Sequence, residues 1–213
     1  MQRIAALVAI VASLVVPGIA FGQTEKQEPE PLAKAIAEKA EWAADLQICP
    51  SKLMARREAT DHLVANECNA GDLSGCLRKC TAGKPGACYW LAYELEQRSF
   101  PSRTYDVLYL RACKLGVMSG CTNRAAGILE EAGASDEART CAAATFDKVC
   151  ALDDPRACTM NALLLSRGIG VPQDIPRALK SLQKSCKYGP EDKACVYAGR
   201  IRRDIEAMDG AKP

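Results

Sequence analysis

Histidine and aromatic residues are scarce in this chain of 213 residues, which contains one histidine and only 5% Phe, Trp and Tyr. The HExxH helix of zinc peptidases, the Gly-x-Ser-x-Gly elbow of serine hydrolases and the glycine-rich phosphate loop do not occur either. The single histidine, His62, has no catalytic motif near it, so we expect a surface residue on an N-terminal helix. These absences argue against the common hydrolase and nucleotide-binding classes.

Neither sign of charge dominates, since 28 Lys and Arg face 26 Asp and Glu, for a formal net charge of +2. A nucleic-acid partner would favour a concentrated basic surface, so none is predicted. The one dense basic cluster, Arg200 to Arg203, is interpreted as a helix terminus, where cations are favoured. Two acidic pairs, Glu130-Glu131 and Asp153-Asp154, consist of neighbours that point apart, and we expect both to be solvated.

Apolar runs are confined to the first residues. Arg3, the apolar stretch from Ile4 to Pro17 and the small residues Ala20 and Gly22 are typical of a signal peptide over residues 1–22. The stretch is short for a membrane span, although a short anchor shares the pattern. We therefore predict an exported protein, periplasmic or secreted, with no stable membrane span after cleavage. Disordered segments are predicted at 23–30 and 208–213.

Cysteine is abundant, with 12 residues, and in an exported chain this number is typical of disulfides. Zinc sites usually combine cysteines two to four residues apart with histidine, whereas only Cys76 and Cys80 lie that close here. No metal and no cofactor is therefore predicted. Because Cys76 and Cys80 face the same side of one short helical turn, each is expected to bridge outward.

The cysteines follow a repeating phrase in which two of them enclose seven residues. From Cys80 the first cysteine of the phrase recurs after 33, 37 and 36 residues, at Cys113, Cys150 and Cys186. A fixed interval in this range is typical of an array of helix pairs. We predict such an array over 69–207, with one truncated repeat around 75–80. Two capping helices are predicted within 31–68, the second from Ser51 to Cys68, and these would cover the first repeat.

One unit, residues 104–131, shows how the phrase folds. Its apolar residues recur at intervals of three and four, which predicts a helix on each side of Gly116, with Ser119 as a cap. The hairpin brings Cys113 near Cys121, within the roughly 5.5–6 Å Cα separation of a disulfide. Two further positions recur in phase: a glycine replaced once by Asp153 (Gly71, Gly83, Gly116, Gly189), and a small residue where helices approach (Ala92, Ala125, Ala162, Gly199).

Residues 113–121 (CKLGVMSGC) and 168–174 (GIGVPQD) resemble the Sel1-like repeats, specifically their cysteine-rich exported branch. The resemblance covers about residues 62–206. It implies an all-α, right-handed α/α solenoid of Sel1/TPR-like hairpins with one disulfide per hairpin. The implied pairs are Cys68–Cys76, Cys80–Cys88, Cys113–Cys121, Cys150–Cys158 and Cys186–Cys195. Cys49 and Cys141 fall outside this scheme. Three alternatives stay open for them: they pair with each other, they bridge to other chains, or they stay free.

Two functions follow as hypotheses. The first is a scaffold that binds a protein or peptide on a concave face lined by the first helix of each repeat. The second is a penicillin-binding or weak β-lactamase-like amide hydrolase, which the resemblance implies for some members, with Ser181 as nucleophile and Lys184 as its activator. The scaffold is preferred because no complete catalytic constellation occurs. The oligomeric state stays open. Candidate contact residues of the scaffold are Asp106, Leu110, Arg139, Phe146, Lys180 and Lys184.

Overall fold

The computed structural model describes residues 29–55 and 66–210, which form helices and no strands. The predicted signal peptide and His62 lie outside these ranges. The helices are α1 (Pro29–Ala37), α2 (Ala40–Asp45), α3 (Pro50–Leu53), α4 (Leu73–Thr81), α5 (Pro85–Gln97), α6 (Ser102–Lys114), α7 (Met118–Glu130), α8 (Asp136–Ala151), α9 (Pro155–Arg167), α10 (Ile175–Lys184) and α11 (Lys193–Gly210).

Four helical hairpins stack in chain order: α4 with α5, α6 with α7, α8 with α9, and α10 with α11. The second helix of each hairpin also packs on the first helix of the next, so α5 contacts α6, α7 contacts α8 and α9 contacts α10. Sequential contacts of this kind define a helical solenoid. The prediction of an all-α array of hairpins closed by disulfides within repeats is confirmed.

Each hairpin turn contains one residue in the left-handed conformation. Gly83, Gly116 and Gly189 have φ of 83°, 101° and 101°, and Asp153 takes the same place in the third hairpin with φ 61°. Aspartate is among the few other residues that visit this region. The substitution seen in the sequence therefore keeps the turn. Gly71, assigned to the same series from the sequence, does not have a positive φ.

Disulfides close these turns. The bridges Cys80–Cys88, Cys113–Cys121, Cys150–Cys158 and Cys186–Cys195 have Cα separations of 4.6, 4.6, 4.5 and 4.4 Å, near the lower end of the usual range. A fifth bridge, Cys68–Cys76, ties the chain before α4 to its first turns. All of the twelve cysteines are bridged, because Cys49 pairs with Cys141 across 92 residues.

Asp154 corrects the expectation that the Asp153-Asp154 pair is solvated. It is 4% exposed and caps α9, accepting the Ala157 amide at 2.8 Å. Ser119, predicted to cap α7, is buried instead and donates to the Asp154 carboxylate at 3.5 Å, because α7 already begins at Met118. The buried Asp154 carboxylate therefore has two roles: it caps α9, and it accepts a hydrogen bond from Ser119 of the preceding hairpin.

The N-terminal segment, residues 29–55, differs from the prediction. Three short helices lie within these residues, and they contact first helices of the hairpins: α1 contacts α4 and α6, α2 contacts α6, and α3 contacts α6 and α8. In addition, α3 contacts α7, the second helix of its hairpin. Of the predicted helix from Ser51 to Cys68, residues 51–53 belong to α3, Met54 is extended (ψ 129°) and buried, and residues 56–65 lie outside the described ranges. Residues 29–30 and 208–210, which were predicted to be disordered, belong to α1 and α11.

Candidate functional site

The first-helix face is the surface of α4, α6, α8 and α10 that the second helices leave uncovered. Three of its six predicted contact residues are not available on it. Leu110 and Phe146 are 1% and 0% exposed, and Asp106 is 5% exposed, so the assignment of these residues to a free surface was wrong. Leu110 and Phe146 belong to the apolar cluster that also contains Met54 of the N-terminal segment. Arg139 and Lys180 are exposed, and Lys184 is partly exposed.

Asp106 is instead part of a buried ion cluster between α6 and α7. Its carboxylate lies 3.3 Å from the Arg124 guanidinium, which also contacts Glu131 at 3.2 Å. Gly127 leaves room for it, since a Cβ there would lie 2.7 Å from Asp106 Oδ1. Burial raises the pKa of Asp106 to about 6 against the lowering effect of Arg124, and the acidic residue Glu131 adds to the rise. This cluster joins two helices and has a structural role.

The N-terminal segment covers the α6 part of the first-helix face. Trp42 is 3% exposed, and the Arg111 guanidinium of α6 lies 5.5 Å from the centre of its indole ring. One turn further along α6, the Lys114 ammonium lies 2.9 Å from the Asp45 carboxylate. An aromatic anchor stacked under a cation and followed by an ion pair therefore fixes α2 against α6.

On α8 three residues at intervals of four and three receive the next part of the same segment. Cys141 is bridged to Cys49, and Thr145 Oγ1 accepts the Ser51 amide at 3.2 Å. The Lys148 ammonium donates to the Ser51 carbonyl at 2.7 Å. This spacing places the three side chains on one side of α8. The segment is thus held on α8 by one disulfide and by two hydrogen bonds between side chains of α8 and the backbone of Ser51.

The α10 part of the first-helix face and the turn that follows it carry a row of four cations, which we call the basic row: Arg177, Lys180 and Lys184 on α10, and Lys187 beyond its end. Arg177 lies 3.0 Å from Asp147, and Lys184 lies 2.8 Å from Asp153. The hydrogen bond from Lys184 lowers the pKa of Asp153. An open depression of about 290 Å³ lies beside the row, and is lined by Asp153, Gln183, Lys184, Cys186 and Lys187.

Ser181 and Lys184, the residues of the hydrolase hypothesis, lie on α10 and contact different partners. Ser181 is 8% exposed, and its hydroxyl accepts from the Asn161 amide at 3.2 Å. The Lys184 ammonium is bound to Asp153 and lies 3.4 Å from the Cys150 carbonyl. A serine nucleophile requires an adjacent general base, and neither set of contacts provides one.

Metal-ligating side chains do not cluster in the described ranges, since no group of three or more His, Cys, Asp or Glu has the geometry to hold an ion. Within the same ranges, no helix is long and apolar enough to cross a membrane.

Sequence reasoning missed the residues by which the N-terminal segment binds α6 and α8. Arg111, Lys114 and Lys148 resemble ordinary last-turn cations of a helix. Two signals pointed to them. Trp42 lies beside an apolar stripe in a chain with only two tryptophans, and Cys49 and Cys141 were the cysteines left over once the hairpins were paired.

No protein-family model matches the sequence, and no curated protein matches it. Among solved structures, the chain is similar to Helicobacter pylori cysteine rich protein B, with 21% sequence identity and a TM-score of 0.47. The alignment covers 62% of this chain and 98% of that protein.

Proposed function

We propose that this chain is an exported repeat scaffold that binds an anionic peptide or protein segment along the basic row of α10. The observation that carries the proposal is the charge of residues 175–188, which contain four cations and no acidic residue. The six disulfides are typical of an oxidising compartment, and with the predicted signal peptide they support a periplasmic or secreted protein.

The basic row is the part of the first-helix face that the N-terminal segment leaves open, since α1, α2 and α3 contact α4, α6, α7 and α8. Among the described residues Lys180 and Lys187 form no ion pair, whereas Arg177 and Lys184 are each paired with one carboxylate. Lys180 on α10 and Lys187 beyond its end are thus exposed cations without an ion pair in the described ranges. They favour an acidic partner, and such an interaction weakens with added salt.

Fluorescence anisotropy of a labelled peptide tests this proposal. The probe is an alternating Glu-Ala decapeptide, and the matching Lys-Ala decapeptide is its control. We expect the acidic peptide to bind the oxidised protein, and K180E/K187E to weaken binding at least about tenfold, equivalent to ~1.4 kcal/mol. The double variant K34E/K52E changes the net charge equally on exposed lysines of the N-terminal segment. Equal loss in both variants, or equal binding of both peptides, would refute the proposal.

The hydrolase alternative is not favoured by any contact of Ser181 or Lys184, whose partners are Asn161 and Asp153. Acylation by a labelled penicillin tests it directly. If wild type and Ser181→Ala are labelled equally, or not at all, Ser181 is not a nucleophile in this protein.

A further inference from the structure

We infer that the N-terminal segment is a built-in occupant of a helix-binding surface on α6 and α8, and that the Cys49–Cys141 bridge holds it there. When this bridge is reduced, the surface accepts an amphipathic helix of a partner that presents an indole and, three residues later, a carboxylate. This inference concerns a different surface from the basic row, so either proposal can fail alone.

The contacts of the segment are those of a bound peptide. Trp42 is a buried aromatic anchor, Asp45 supplies a carboxylate for Lys114, and the backbone of Ser51 bonds to Thr145 and Lys148. Helices that bind in grooves are usually recognised by such anchors at intervals of three or four. Trp42 and Asp45 have this interval, and they define the chemistry of a competing partner.

The segment is an addition to the solenoid and not one of its repeats. Its helices have 9, 6 and 4 residues, and no two of them form a hairpin with a cysteine phrase. The hairpins α4–α11 contact one another in sequence without the segment as an intermediary. Removal of the segment therefore keeps the sequential order of the hairpins while it uncovers Arg111, Lys114, Thr145 and Lys148. It also uncovers the apolar clusters in which Trp42 and Met54 take part.

The Cys49–Cys141 bridge is suited to control this surface. It spans 92 residues, whereas each of the other five bridges spans 8 or 9 and joins parts that are already neighbours in the chain. Cys49 and Cys141 are partly exposed, while Cys113, Cys121 and Cys158 are fully buried. Of the bridges that a reductant reaches, this one alone joins the segment to the array.

The redox step requires a dithiol reductant. A thiolate of the dithiol attacks one sulfur of the bridge, which gives a mixed disulfide and releases the other cysteine as a thiolate. The second thiol of the dithiol then resolves the mixed disulfide. Two electrons pass from the dithiol to the bridge, the two cysteines end as thiols after protonation, and the dithiol becomes a cyclic disulfide.

Hydrogen exchange on the full chain tests the covalent control. The variant is C49S/C141S, and the matched control is C186S/C195S, because Cys186 is also exposed but its bridge joins only α10 to α11. We expect amides of residues 40–55 to exchange at least about tenfold faster in C49S/C141S, with less than a twofold change in α6–α9. The control should leave 40–55 unchanged. Unchanged exchange in 40–55, or equal loosening of α6–α9, would overturn the inference.

Binding in trans tests the surface itself. The probe is a labelled peptide of residues 38–54 with serine at position 49, and its control peptide carries alanine at position 42. We expect the full chain with C49S/C141S/W42A to bind the probe at least about tenfold more tightly than oxidised wild type does. The same variant should bind the control peptide at least about tenfold more weakly than it binds the probe.

Three outcomes of this binding test count against the inference. A folded triple variant that does not bind the probe shows that no such surface exists. Loss of helical circular dichroism in the triple variant shows that the segment is an integral part of the core. A dimer of the wild type linked through Cys49 of one copy and Cys141 of another shows that the bridge does not hold the segment of its own chain.

Discussion

Alanine at Gly170 should destabilise the protein far more than alanine at Gly133, although both glycines are left-handed, with φ of 67° and 75°. A Cβ at Gly170 would lie 2.3 Å from the Arg139 carbonyl oxygen and 2.7 Å from the Thr140 nitrogen, both on the backbone of α8. A Cβ at Gly133 meets no atom within 4 Å. The pair therefore separates the cost of the backbone conformation from the cost of the close approach.

The conformational cost alone is about 1 kcal/mol for alanine in this region, which we expect for Gly133→Ala. Gly170→Ala adds about 2 kcal/mol, because the loop that follows α9 must move away from α8 and a core cannot absorb the extra atom without strain. For a chain of this size these losses correspond to falls in Tm of roughly 3 °C and 9 °C.

Differential scanning calorimetry without reductant, so that every bridge stays closed, measures these shifts. Hydrogen exchange gives a local check, since loss of the loop contact should also speed exchange in α10 after Gly170→Ala and not after Gly133→Ala. Similar shifts in Tm for the two variants would refute the reasoning, because they would show that the contact with α8 has no energetic weight.

Three further predictions follow from single side chains. Because the pKa of Asp106 is raised to about 6, its contribution to stability is complete below about pH 4 and is lost as the pH rises through 6. The free energy of unfolding of the wild type should therefore fall by roughly 3 kcal/mol over this window, and that of Asp106→Asn should not. Calorimetry at pH 4 and pH 7 compares the two proteins. Asp154→Ala should cost about 2 kcal/mol and Asp174→Ala about 1 kcal/mol in chemical unfolding, since both cap helices but only Asp154 is buried; equal losses would contradict this assignment. Asp153→Gly should raise the free energy of unfolding by about 0.5 kcal/mol, because glycine relieves the left-handed backbone strain and the exposed ion pair to Lys184 contributes little. A lower Tm in this variant would show that the ion pair matters more than the turn.

The cysteine phrase made the array predictable because it combines a local turn with a local bond. A glycine and two cysteines eight positions apart specify the end of one helix and the start of the next, as at Gly116. The same locality explains why Asp153 was recognised as a replacement for glycine. Helix starts were less predictable: Ser119 has the chemistry of a cap, but a buried partner from the next hairpin, Asp154, takes its hydroxyl.

The sequence predicted where the first-helix face lies, but it did not predict that the N-terminal segment covers part of this face. Leu110 and Phe146 were placed on it by helical period, and the period does not show what lies against such a residue. The N-terminal segment reaches this face from positions about 60 to 100 residues away, as in the contacts of Lys114 with Asp45 and of Lys148 with Ser51. Contacts at this sequence separation leave no periodic signal, so the signals that remained were Trp42 beside its apolar stripe and the two leftover cysteines.

The bridges of the four hairpins lie at the ends of α4, α6, α8 and α10, so all four lie along one edge of the array. At the opposite edge the backbone passes from one hairpin to the next, whereas each of these bridges joins the two helices of a single hairpin. Mechanical softness should therefore be directional: under load, successive hairpins splay apart at the edge of the bridges, where no covalent bond joins one hairpin to the next, while the opposite edge keeps its spacing. A partner that changes the curvature of this molecule would separate neighbouring hairpins at the edge that carries the sulfur.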